Sequence, residues 1–175
     1  HQVKLINAVT NELPQVFSSP QVDAIAVWQP VANQALNSVA GAQIIYSSQD
    51  KPGLIYDTLT VNMTHLARHP EAWKKIIQIW DRTVHYIEDP KTRQDALNIM
   101  AKRVGVDAAQ YQQLLEGTHL LDIQANQKVF EKSKQFDSIY GSSYHVNQFN
   151  VDQGVYTHQL DVDGLIYPQL LQSLR

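Results

Sequence analysis

The sequence of 175 residues contains no cysteine. That one absence removes disulfides, zinc–thiolate sites, iron–sulfur ligation and thiol nucleophiles together. Long apolar runs are missing as well. The most continuous, Ala24 to Trp28, falls far short of the ~20 residues that span a bilayer, and none stands at the amino terminus as a leader would. The chain therefore reads as a mature or excised soluble segment. Lys and Arg form no dense block and the formal charge is -3, which argues against a nucleic-acid surface, whose affinity rests on neutralising many phosphates. Neutral or small anionic ligands stay open, because local field matters more than net charge. A Gly-x-Ser-x-Gly elbow, a Gly-rich phosphate loop and a His-Glu-x-x-His helix are all absent, so hydrolase and nucleotide-binding readings have no motif to stand on. No catalytic residue, cofactor or metal centre is expected.

What is present is a globular composition, 43% apolar and 18% charged, well away from the regime of disordered chains. Val3 to Asn7 is a short strand candidate. Asn11-Glu12-Leu13-Pro14 opens a short helix through Phe17, which Pro20 ends. Asp23-Ala24-Ile25-Ala26-Val27-Trp28 has strand length and little polar alternation, as in a parallel strand buried on both faces. Pro30 suits the first position of a helix carrying Ala32, Ala35, Leu36, Val39 and Ala40, with Gly41 as its terminator. Gln43 to Tyr46 is the next strand, which makes Asp23 to Tyr46 a βαβ unit with a right-handed crossover.

Leu54 to Val61 is β-branched and aromatic, a further strand. From Met63 to about Lys134 the pattern turns helical, broken at His69-Pro70, Asp89-Pro90, Gly105 and Gly117 into about four helices. In Glu71 to Glu88, Trp73, Ile76, Ile77, Trp80, Val84 and Ile87 form one stripe, read as core. Thr92 to Val104 is the next helix, and Asp107 begins a shorter one with Tyr111, Leu114 and Leu115. Gly141 to Gly154 is polar and reads as irregular with at most a turn or two of helix. A last helix spans Leu160 to Leu174.

The stretch Val22-Asp23-Ala24-Ile25-Ala26-Val27-Trp28-Gln29-Pro30 resembles the periplasmic substrate-binding proteins of ABC importers for sulfonates, taurine, nitrate and thiamine precursors, with Gln29 where the family has Glu. Gly41 before a strand, a strand leading into a helix, His69-Pro70-Glu71, and helices ending near Asp89-Pro90 and Gly105 follow in the family's order. The resemblance implies an α/β, periplasmic-binding-protein-like fold, of which this chain is the C-terminal half. Residues 1–56 would then be part of the second α/β lobe with its parallel strands. Residues 57–175 would be a crossover strand and the helix-rich return to the first lobe.

The opening strands of the family would precede Val3, which leaves unpaired edges and exposed apolar faces for an N-terminal half or a second copy to cover. The implied function is noncatalytic capture of a small organic or inorganic solute in an interlobe cleft, in the periplasm, for delivery to an ABC permease in the membrane. Two rivals are the extracytoplasmic ligand-sensing domain of a signalling receptor and a helical interaction module using the aromatic stripe. The yeast thiamine-pyrimidine synthases resemble the same family but carry a cysteine-rich motif that this chain lacks.

Ligand sites in open α/β sheets lie beyond the carboxyl ends of strands, at helix N-termini. That placement makes Trp28 a stacking wall and Gln29 a hydrogen-bonding group. Tyr56, Asp57 and Thr58 fall at the crossover, toward the cleft floor. Gln29 in place of a carboxylate weakens cation binding and favours neutral or anionic solutes. His65 and His69 have a spacing that can share a metal, but no third ligand follows and Pro70 makes a helix end the better explanation. Asp161, Asp163 and Gly164 lack the alternating ligands of a calcium loop and read as a turn.

Overall fold

The computed structural model describes residues 3–174, and these divide after Ser47 into two compact units. The secondary structure of both is helical, and no β-strand occurs among the described residues. This overturns the expected α/β fold with parallel strands. Val3 to Asn7, Asp23 to Trp28, Gln43 to Tyr46 and Leu54 to Val61 are not helical, yet no ladder of backbone hydrogen bonds joins any of them to a neighbour. A strand exists only as a pair, and apolar sequence alone supplies no partner for its N–H and C=O groups. The run expected to be buried on both faces, Asp23 to Trp28, is instead half-buried at Ile25 and Val27 and otherwise exposed, Trp28 included. Ile44, Ile45 and Tyr46 are exposed as well.

In the first unit a single 3-10 turn, Thr10–Glu12, leads into α1, Leu13–Phe17, with Pro14 in its first turn where no intrahelical donor is needed. α2, Val31–Ser38, packs against α1 and buries Val31 and Ala35, one helical turn apart on one face. Gly41 follows it at φ 81°, a left-handed conformation that suits glycine at a helix exit.

The second unit opens on a 3-10 turn, Ser48–Asp50, and holds eight α-helices among the described residues. α3, Met63–Arg68, is capped by the Asn62 side chain, which accepts from the backbone N–H groups of Thr64 and His65. α4, Pro70–Glu88, begins at Pro70, so the His69-Pro70 break is the boundary between two helices. α5, Arg93–Val104, ends at Gly105 with φ 77°. A reciprocal box between Asp107 and Gln110 starts α6, Ala108–Leu115. Asp122 caps α7, Ile123–Val129. α8, Ile139–Asp152, is capped by Ser138; α9, Val162–Leu165, and α10, Gln169–Gln172, flank Pro168. The single last helix expected from Leu160 to Leu174 is thus two short ones.

α4 packs against α3, α5, α7 and α10, and α5 against α6, while α8 meets α9. The shared core is Val84, Ile87, Ala96, Leu97, Ala101, Leu171 and Leu174, with Ile139, Tyr140 and Val162 buried around α8. Gln127 on α7 fastens the last turn by donating to the carbonyls of Leu171 and Leu174 at 3.3 and 2.9 Å. Only part of the expected aromatic stripe is core: Val84 and Ile87 are buried, whereas Ile76 and Trp80 remain exposed.

The chain exposes 13551 Å² in all. A compact protein of 19.9 kDa is expected to expose about 8,700 Å², and treating the two units as separate compact bodies raises that only to roughly 10,000 Å². No described helix is long and apolar enough to cross a membrane.

Candidate functional site

The residues singled out from sequence fall in both units. In the first, Trp28 and Gln29 stand at the start of α2. The Trp28 carbonyl accepts from Ala32 N at 3.1 Å. Gln29 Oε1 accepts from Asn33 N at 3.3 Å while its Nε2 donates to Asn33 Oδ1 at 3.1 Å. Gln29 therefore satisfies one orphan donor of the helix and is held by the next turn. The Trp28 indole is 69% exposed beside it.

Tyr56, Asp57 and Thr58 belong to the second unit. Tyr56 Oη donates to the Phe136 carbonyl at 2.9 Å, and burial, with Asp137 adding repulsion for the phenolate, raises its pKa above 10.0. Asp57 and Thr58 are exposed on the extended segment that follows. Tyr56 thus acts as a tie between that segment and the approach to α8.

His65 and His69 do lie together, their ring centroids 4.7 Å apart. His65 Nδ1 accepts from Trp73 Nε1 at 3.3 Å, which commits one ring to packing against the start of α4. Asp161 accepts from Gly164 N at 3.2 Å and caps α9, so the stretch expected to be a turn is the start of a short helix.

Three groupings went unseen in the sequence. One is a shallow cleft of about 380 Å³ along α8, lined by Lys134, Tyr144, His145, Asn147, Gln148 and Gln159. Beside it Asp163 accepts from Lys132 Nζ at 2.7 Å and from Tyr144 Oη at 2.5 Å. Those two donors lower the carboxyl pKa, while the hydrogen bond to the carboxylate raises that of Tyr144. His145 stacks on Phe136 at 4.6 Å between centroids and its Nε2 faces the Lys134 carbonyl at 3.2 Å, so it serves packing. A second depression, between α5 and α6, has Ile99, Met100, Val104 and Tyr111 beside Lys102 and Arg103.

The third grouping is Asp81, His85 and Asp122, where α4 meets the start of α7. One ligand-type atom from each lies within 4.8 Å of the others. Asp81 Oδ1 accepts from Ile123 N at 2.8 Å, and Asp122 Oδ1 from Ala125 N at 2.7 Å. The Trp80 indole donates to the Leu121 carbonyl at 2.8 Å. Two adjacent residues of α4 thereby grip residues 121–123. The sequence carried half of this signal, since Asp81 and His85 share one face of a helix at i and i+4. The other half needed the fold, because nothing local links them to Asp122. No family model matches the chain, and no characterised protein or solved structure shows significant similarity to it.

Proposed function

We propose that this chain is part of the solute-binding component of an ABC-type importer, capturing a small organic or inorganic solute without transforming it and delivering it to a membrane permease in the periplasm. The observation that carries this reading is Trp28 with Gln29, the stretch in which the resemblance to the sulfonate, taurine, nitrate and thiamine-precursor binders is concentrated. An exposed indole beside an anchored amide offers a stacking face and hydrogen-bonding groups at the start of a helix. Such an arrangement suits a flat neutral or anionic solute.

The excess surface supports a second part of the proposal. Several thousand square ångströms beyond the compact expectation, with Leu5, Ile45 and Ile55 among the most exposed apolar side chains, is the scale that obligate interfaces bury. A second polypeptide surface covers Leu5 and Ile45 of the first unit and completes the wall opposite Trp28. Affinity then comes from contacts made when the two close about the solute.

The test is a thermal-shift screen of the intact protein against sulfonates, nitrate, polyamines and thiamine precursors, followed by Trp28 fluorescence with Trp73 and Trp80 changed to Phe. One solute class is expected to raise the melting temperature, since saturation at a hundred times Kd adds about 2.7 kcal/mol, and Trp28→Ala removes the effect. The 175-residue chain alone should bind weakly or not at all. No response to any class overturns the transport reading, and micromolar affinity in the isolated chain overturns the completed wall.

A further inference from the structure

The junction of α4 and α7 carries chemistry that solute capture leaves unused. Asp81, His85 and Asp122 form a mixed donor set, two carboxylates and an imidazole. His85 Nδ1 lies 2.9 Å from the Asp81 carbonyl, so in the neutral ring Nδ1 bears the proton and Nε2 keeps its lone pair. That nitrogen is 3.7 Å from Asp122 Oδ2, and the ring's other nitrogen is 3.5 Å from Asp81 Oδ2. Two ligands bound about 2.1 Å from one metal at a tetrahedral angle stand about 3.4 Å apart. The Nε2–Asp122 Oδ2 pair is already close to that spacing, and all three residues offer a ligand atom within 4.8 Å of the others.

The outer contacts have the form that metal sites use to aim their ligands. Each carboxylate has its Oδ1 fixed by a backbone N–H, from Ile123 or Ala125, which leaves Oδ2 turned to the imidazole. The imidazole has its Nδ1 against a carbonyl. Both carboxylates are about three-quarters buried, while His85 is 62% exposed. Its exposed side leaves room for water as a further ligand.

We propose that Asp81, His85 and Asp122 bind one divalent transition-metal ion of the zinc class, with His85 contributing Nε2 and each aspartate Oδ2, and that the ion pins α4 to the start of α7. One nitrogen and two carboxylate oxygens suit Zn(II) or Co(II). Mg(II) and Ca(II), which take mainly oxygen ligands in larger number, are poor competitors. This inference stands apart from the transport reading, because it concerns residues away from Trp28 and needs no solute.

The intact protein is dialysed against a chelator and titrated with zinc chloride by calorimetry, then with cobalt chloride while its visible absorption is followed. One saturable equivalent is expected, with a cobalt spectrum carrying a nitrogen ligand and a higher melting temperature in the presence of zinc. His85→Gln should weaken zinc binding at least tenfold while its circular dichroism stays unchanged. Asp122→Asn keeps an acceptor for Ala125 N and should also lose the metal. His65→Gln should leave this equivalent in place, separating it from the His65–His69 pair. Absence of a saturable equivalent overturns the proposal, and so does zinc binding that His85→Gln leaves unchanged.

Discussion

Asn147 and Leu160 exchange two hydrogen bonds: the side-chain Nδ2 donates to the Leu160 carbonyl at 3.0 Å, and Leu160 N donates to Oδ1 at 3.1 Å. A side-chain amide here does what a neighbouring strand would do for a stretch of chain with no regular structure. Asn147 is 8% exposed, so its removal strands Leu160 N at the edge of the core and leaves the Leu160 carbonyl with only the bond from Val162 N. Asn147→Ala should cost about 1–3 kcal/mol. Asn147→Asp, which can accept but not donate, should cost at least as much near neutral pH. Urea denaturation of the two variants checks this, and unchanged midpoints would show that water replaces the amide freely.

Gly53 should tolerate no side chain. Its φ is 81°, and a Cβ placed there would run into the Phe136 carbonyl, the group that also accepts from Tyr56. Gly105 has a similar φ of 77° but open space around it. Gly105→Ala should therefore cost about 1 kcal/mol for backbone strain alone. Gly53→Ala adds a steric collision with backbone and should destabilise clearly more. The difference between the two midpoints, measured side by side, isolates the steric part.

Helices were legible where the sequence carried both a period and a stop. Pro70 and Asp89 bound α4, Gly105 ends α5 and Asp107 starts α6, each close to its expected place. α8 was not legible, because Gly141, Ser142, Ser143 and Asn147 give no apolar stripe. Its helix is set from outside: Ser138 caps it, Ser142 Oγ donates to the Leu54 carbonyl at 3.1 Å, and a Cβ at Gly141 would collide with the backbone of Gln135. The opposite error arose at Asp23 to Trp28 and Gln43 to Tyr46, where composition signals strand but pairing is a property of two segments. The same limit hid the Asp81, His85 and Asp122 set, whose third member lies in another element.

The cluster around Asp163 should fail at both ends of the pH scale. Its folded pKa lies below 3.8 through the hydrogen bonds from Lys132 and Tyr144. A depressed carboxyl contributes stability that is present above the unfolded pKa and lost as pH falls through the lower folded value. Tyr144 is shifted upward from 10.0 by its hydrogen bond to Asp163, and Lys132 upward from 10.5 by the same carboxylate. Their contributions are present below the unfolded values and lost as pH rises through the raised ones. Asp163→Asn should return the Tyr144 titration toward 10.0, followed by tyrosinate absorbance or by the ring resonances in NMR. An unshifted Tyr144 in that variant would show that the pair does not persist in solution.

Val84 and Ile79 are both β-branched residues of α4, yet Val84, which lies in the expected apolar stripe, should be far more sensitive to truncation than Ile79, which lies outside it. Val84 is fully buried at 0% exposure, whereas Ile79 is 58% exposed. The difference follows from what α4 meets, since α5, α7 and α10 all close on this helix and one face remains open. Val84→Ala removes two buried methyl groups and leaves a gap in a close-packed core, so it should cost roughly 1.5–3 kcal/mol. Ile79→Ala should stay within about 0.5 kcal/mol, because the deleted atoms were already in water and alanine favours the helix. Thermal unfolding of both variants measures the contrast. A large loss at Ile79 would mean that its face of α4 is covered in the working protein, which would extend the covered surface from the extended segments onto this helix.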